Sequence, residues 1–426
     1  MSSSVGTGIE PVAGPSEENT DIPFTLSIDE PSPRAAVTEP DSPTVDVEVD
    51  TPVDHVPGIP AEAGRHVLHR IALAFADVAP EGWQQLDVLL VVTVADGMAQ
   101  AYCIDAEGSS IELKVPDTVV APAHEHRALT AELTGRTWWR MMLRFTDAGQ
   151  LDVDLDYGDE PIPDEHRLAP ESYSADLQVF PRDTLPIWLG AYLGPPGQQA
   201  RPPRRALPDP GARRGVRALG LPALPLLWAR WAVISAAFVA GRPEWGPRIM
   251  VSAGWFEGAN GGSTVIVLPG GRAVLSGGTA HAPALHAAYN GRAEMPDLYA
   301  GAPDWVADPV LNARMARGML SFCYWWEGDS WYRGDSPDAD QIGAAIPGIW
   351  TAETVIEVVA DVLSAPWPSV TALVHAAEQG TVTRDLLAEI LPPDGSFDIG
   401  EVWYQLALAG VTDAQAASPG RPGVRA

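Results

Sequence analysis

A chain of 426 residues, 46% of them apolar, is long enough for two or three domains, each burying a core of its own. Two cysteines, Cys103 and Cys323, set far apart in apolar runs, argue against a disulfide scaffold and a cysteine metal site. The formal net charge of −29 disfavours nucleic acid and anionic membrane as partners and would attract a basic protein, although solubility alone accounts for such a charge.

Residues 1–62 hold 13 acidic residues and one arginine, a net −12, with few large apolar side chains. Val45, Val47 and Val49 alternate with Asp46, Glu48 and Asp50, a pattern that cannot build a core unaided, so the stretch is expected to be a disordered, acidic, Pro-rich tail. Its start shows no basic segment followed by an apolar core, and a cytoplasmic location is the expectation.

A first unit is expected over residues 63–194. His66, Val67, His69, Arg70, Ile71, Leu73, Ala74 and Phe75 suit an amphipathic helix closed by Pro80 and Gly82. Trp83 then opens an apolar strand, Asp96-Gly97 signals a type I′ hairpin, and residues 98–104 return as the second strand. Glu107-Gly108 turns into Ile111, Leu113 and Val115, and a helix is expected over residues 123–133. The stretch 138–161, WWRMMLRFTDAGQLDVDLDYGDEP, reads as a hairpin. Its first strand ends at Asp147-Ala148-Gly149, and its second alternates Leu151, Val153, Leu155 and Tyr157 with Asp152, Asp154 and Asp156, which gives one acidic face. A helix around Ile187, Trp188 and Leu189 completes the unit.

Residues 195–220 carry six arginines and one aspartate among many prolines and are expected to be a linker; no aromatic residues interleave to stack bases. The apolar run 219–240 is long enough to span a bilayer, but Pro222, Pro225 and the central Arg230 favour a buried helix, since a mid-membrane arginine costs about 2.5 kcal/mol or more. That helix opens a second unit, 221–365. Trp245 follows, then strands at 248–256 and 263–268, a Gly270-Gly271 turn, and helices at 282–289 and 305–316. The stretch 319–337, MLSFCYWWEGDSWYRGDSP, echoes 138–161 down to its closing Gly-Asp-x-Pro, which suggests two degenerate copies of one unit; a different strand order in each would refute this. A helix at 352–363 follows, then a helical appendix, 366–412, and a flexible tail, 413–426. The expected fold class is α+β: two related antiparallel meander sheets with helices packed on one face, plus the C-terminal helices.

No constellation carries an unmistakable catalytic chemistry. Asp152, Asp154 and Asp156 have the alternation that opens a calcium loop, but Tyr157 stands where the loop needs glycine and Pro163 where it needs the bidentate glutamate. His124 and His126 are two residues apart and lack the i, i+4 spacing of a helical zinc pair; His66 and His69, and His281 and His286, are no better placed. No metal or cofactor is expected. The cluster Phe322, Tyr324, Trp325, Trp326, Trp331 and Tyr332 reads first as the buried face of a sheet and second as a recognition surface with Arg333 beside it.

The run from Trp139 through Phe145, the glycine-containing turn, and Asp154-Leu-Asp-Tyr-Gly-Asp-Glu-Pro resemble the closing hairpin of YezG-type bacterial immunity proteins, which protect bacteria from their own secreted toxins. The N-terminal helix and the tryptophan before the first strand agree with that family. The resemblance covers residues 63–165, with a fainter echo at 226–337, where Arg-Gly-Asp-Ser-Pro replaces the acidic end. It implies a non-enzymatic, antitoxin-like protein that occludes a basic toxin. The expected partner-binding residues are Asp152, Asp154, Asp156, Asp159, Glu160, Trp326, Trp331 and Arg333. The competing expectations are an enzyme using His124, Glu125 or His281 in a cleft between the units, and a structural or secretion-associated adaptor.

Overall fold

The computed structural model describes residues 59–200, 215–242, 244, 246–391 and 397–413. The expected N-terminal tail up to residue 58, most of the linker, Trp245 and the C-terminal tail beyond residue 413 lie outside the described residues. Helices and two antiparallel sheets make up the rest, in the α+β class.

The helix α1 (Ile59–Ala76) buries Val67, Leu68, Ile71, Ala72 and Phe75, the i, i+4, i+8 stripe of an amphipathic helix. β1 (Trp83–Val92) and β2 (Gly97–Asp105) form a hairpin, but Asp96-Gly97 is not its two-residue turn. Val92 pairs with Gly97, so residues 93–96 make the connection. Thr93 closes it, its amide donating to the Asp96 carbonyl at 2.8 Å and its hydroxyl to the same oxygen at 2.9 Å. After the short β3 (Ser110–Glu112) and α2 (Val120–Thr134), β4 (Arg140–Thr146) and β5 (Leu151–Asp156) form the expected hairpin, with Gly149 at φ 84° in its turn. The sheet order is β3-β2-β1-β4-β5. Leu86, Val88, Leu90, Ala101, Cys103, Met141, Leu143 and Phe145 face α1 and α2 in one core. Burial of each of its larger side chains stabilises by about 1.5–3 kcal/mol relative to exposure.

α3 (Pro170–Val179) and α4 (Ile187–Leu193) close the opposite face at one end, packing Tyr173, Trp188 and Leu189 on Val91 and Trp139. The second sheet follows. β6 (Val216–Arg217) precedes α5 (Leu224–Gly241); then come β7 (Arg248–Ile249), β8 (Ala253–Gly258), β9 (Gly261–Leu268), β10 (Arg272–Thr279), α6 (Pro283–Tyr289), β11 (Phe322–Glu327) and β12 (Ser330–Arg333), in the order β6-β12-β11-β10-β9-β8-β7. Where a helix was expected at 305–316, three short 3-10 turns run over Asp304–Ala307, Pro309–Leu311 and Ala313–Met315. Pro303 and Pro309 each stand at the start of a turn, which favours short segments over one helix.

The two strand orders refute the internal repeat. In the first sheet the closing hairpin returns to pair beside the first strand; in the second, β11 simply continues the meander beside β10.

The apolar run at 219–240 becomes α5, and Arg230 explains how a cation sits there: it pairs with Glu378 at 2.8 Å and donates to the carbonyls of Ile349 and Trp350. By length and composition α5 would pass for a membrane span, with 61% of it buried inside this protein. It is the centre of a helical layer with α7 (Ala352–Leu363), α8 (Trp367–Glu378), α9 (Arg384–Ile390) and α10 (Ile399–Leu408). The C-terminal helices expected beyond residue 366 thus share one core with the second sheet. That sheet is covered on both faces: Leu275, Phe322, Tyr324 and Trp326 face the helices, while Val274, Cys323 and Trp325 pack under Leu298, Tyr299, Val306 and Met315. Two-sided burial explains why β11 reads as an unbroken apolar run.

Paired hydrogen bonds join the segments on either side of α4 to the segments after α6 and before β11. Asn290 bonds both the amide (2.7 Å) and carbonyl (3.0 Å) of Leu185, and Gln199 does the same for Leu320 at 3.0 and 2.8 Å.

Candidate partner-binding face

The outer face of the first sheet follows from the pairing register, because directly opposed residues share a face. One row runs Glu112, Tyr102, Asp87, Arg144, Asp152; the next runs Gln100, Leu89, Met142, Asp154; the third runs Met98, Val91, Arg140, Asp156. Asp152, Asp154 and Asp156 therefore stand in line on β5, as their alternation predicts. The closed end of the face, at Val91, lies under α3 and α4. Leu89 and Met98 also pack against that cluster, and farther out Tyr102 is 40% and Met142 37% exposed.

Five carboxylates and two guanidiniums occupy this face. Arg144 pairs with Asp87 at 3.1 Å and Arg140 with Asp156 at 3.0 Å. Asp152 accepts a long bond from Gln150 at 3.3 Å, and among the described residues no cation pairs with Asp152 or Asp154. Asp154 stands opposite Met142, so a carboxylate without a counter-charge borders an exposed apolar strip.

The other expected residues fall elsewhere. Asp159 is exposed and pairs with Arg136 at 2.6 Å, just past the end of β5; Glu160 is exposed beside it. Trp326 and Trp331, expected to bind a partner, are 6% and 2% exposed and belong to the helical core of the second sheet. Their rings pack edge to face at 5.3 Å, and the Trp331 indole donates to the Pro222 carbonyl at 2.8 Å, so neither is available to a partner. Arg333 is also turned inward in function: its guanidinium donates to the Ser336 carbonyl and bonds Asp338 at 2.6 Å. Gly334 has no room for a side chain between the backbone of Asp297, Leu298 and Ala300, and buried Ser336 bonds both backbone groups of Cys323. The Arg-Gly-Asp-Ser turn is thus a structural clasp.

Beneath the face lies a buried polar network that the sequence did not announce. Asp176 of α3 accepts two bonds from Arg127 Nη2 (2.9 and 2.7 Å), one from the Val94 amide (2.9 Å) and one from the Trp139 indole (2.7 Å). The Arg127 Nε–H donates to the Trp138 carbonyl at 2.9 Å. Next to it His126 Nδ1 accepts from the Trp138 indole at 3.0 Å, and burial pushes this imidazole down to about 4, so it is neutral at pH 7. Arg182 lies over Trp139 at 3.6 Å, and burial lowers it to about 10, still a cation at pH 7. These groups fix the closed end of the sheet.

Of the groups an enzyme might use, Glu125 is exposed and paired with Arg70 at 2.8 Å, His124 is exposed on α2, and His281 is exposed between β10 and α6 in the other half of the molecule. Among the described residues no group of three or more His, Cys, Asp or Glu is placed to hold a metal ion.

The hairpin register was computable from the turn at residues 147–149; the neighbours Asp87, Leu89 and Tyr102 needed the strand order. No protein-family model matches the chain, and no curated protein matches it.

Proposed function

We propose that this chain is a non-enzymatic binding protein whose open, acidic sheet face receives a basic protein partner, in the manner of an immunity protein that occludes a toxin. The observation that supports the reading is Asp152 and Asp154, two aligned carboxylates with which no cation forms an ion pair among the described residues, on the part of the face that α3 and α4 do not cover, with exposed Met142 opposite Asp154. Such a surface offers charge for steering and an apolar strip for contact, and exposed carboxylates lose little in solvation until a cation replaces the water. The resemblance of residues 63–165 to YezG-type immunity proteins supports the same reading, and Asp156, Asp159 and Glu160 extend the acidic border. The test is copurification with the product of a neighbouring toxin-like gene, using the whole chain and a D152R/D154R/D156R variant. Loss of capture by the variant, with an unchanged circular-dichroism spectrum, is expected; normal capture would remove the site.

A further inference from the structure

Among the described residues β5 is the last strand of its sheet, so alternate residues turn their N–H and C=O groups away from β4, toward an edge with which no described strand pairs. Its two side-chain series differ. Leu151, Val153 and Leu155 point to the core side and are only half-buried, at the margin of the cluster under α1 and α2. Asp152, Asp154 and Asp156 point to the outer side. A strand added to this edge would set its own core-side residues against the three half-covered aliphatics and its outer residues within about 4.5–5.5 Å of the three carboxylates.

We infer that the partner docks here by strand addition, through an extended segment that alternates basic with apolar residues. This rests on the reading of the acidic face as the partner surface and adds the mode of binding. Three features select that occupant. The open edge asks for main-chain pairing, the half-buried leucines and valine ask for apolar residues at every second position, and the aspartates ask for lysine or arginine between them. A second copy of the chain does not fit. Two β5 edges paired antiparallel would place Asp152 opposite Asp156 and Asp154 opposite Asp154, like charges face to face. The chain's own 45–50 stretch, VDVEVD, has the alternation with the wrong sign. Acids on an edge strand usually prevent unwanted pairing, and here the same residues would reject acidic and neutral strands while admitting a basic one.

The test uses capped octapeptides and the full chain, read by fluorescence anisotropy. The alternating peptide Arg-Val-Arg-Val-Arg-Val-Arg-Val should bind about tenfold tighter than its block isomer of four arginines followed by four valines, and a Glu-Val alternation should not bind. N-methylation of either all valines or all arginines should abolish the tenfold advantage in one peptide and spare it in the other, since only one set of amides faces β5. The D152R/D154R/D156R variant should lose the preference. Equal binding of the alternating and block peptides, equal tolerance of both N-methylated forms, binding unchanged in the variant, or no binding of the alternating peptide would each overturn strand addition. The broader partner surface is judged separately, by capture of the natural partner.

Discussion

The indole N–H of Trp139 donates to Asp176 at 2.7 Å across 37 residues of chain, and this bond ties the start of β4 to α3. The same carboxylate carries the Arg127 pair and the Val94 amide, so one side chain connects α2, β4, α3 and the β1–β2 connection.

Both ions of that pair are at most 2% exposed, and removing one leaves the other buried without a partner. D176N is expected to cost about 3–5 kcal/mol in urea unfolding. R127M should be similarly damaging, and the double variant D176N/R127M should recover part of the loss. A strictly additive double variant would show that the two do not act as a pair.

His126 gives a pH prediction with a definite sign. Its folded value, about 4, lies below the ordinary imidazole value, so the unfolded chain takes up a proton first as the pH falls. Its contribution is intact above about pH 6.5, is lost progressively down to about pH 4, and amounts to about 3 kcal/mol. Protonation would also place a donor at Nδ1 against the Trp138 indole donor. H126N should flatten this part of the stability curve measured by urea unfolding between pH 4 and 7.

Gly158 sits at φ 72°, and a Cβ there would lie 2.4 Å from the Trp139 ring. G158A is expected to destabilise by about 2 kcal/mol or more, from backbone strain and displacement of a packed indole. The exposed Gly149, with nothing near its Cβ position at φ 84°, should cost less on the same change, about 1 kcal/mol. A thermal melt of the two variants ranks them.

Asn290 bridges the two halves through both backbone groups of Leu185. N290A should leave the cores intact, cost about 1–3 kcal/mol, and raise amide exchange at Leu185 and along α4 before it affects β1 or β10. Uniform exchange across both sheets would contradict a local role.

Much of the secondary structure was legible because it is local. The 3.6-residue stripe of α1, the alternation of β5 and the turn at Gly149 are fixed by side-chain period and glycine conformation, and the structure bears them out. The hairpin at Asp96-Gly97 was misplaced by two residues because Thr93 closes a longer connection with its own hydroxyl. The apparent repeat failed for a different reason: neither closing hairpin encodes which earlier strand it will pair with. Trp326 and Trp331 look the same in sequence whether a sheet face is bare or covered, and the helices from 352 to 408 cover it. By itself the sequence determined the line of acids on one strand and the apolar faces of its helices. Only the tertiary structure decided that this strand ends its sheet and that its outer face stays open, because strand order and layer coverage depend on contacts between residues far apart in the chain.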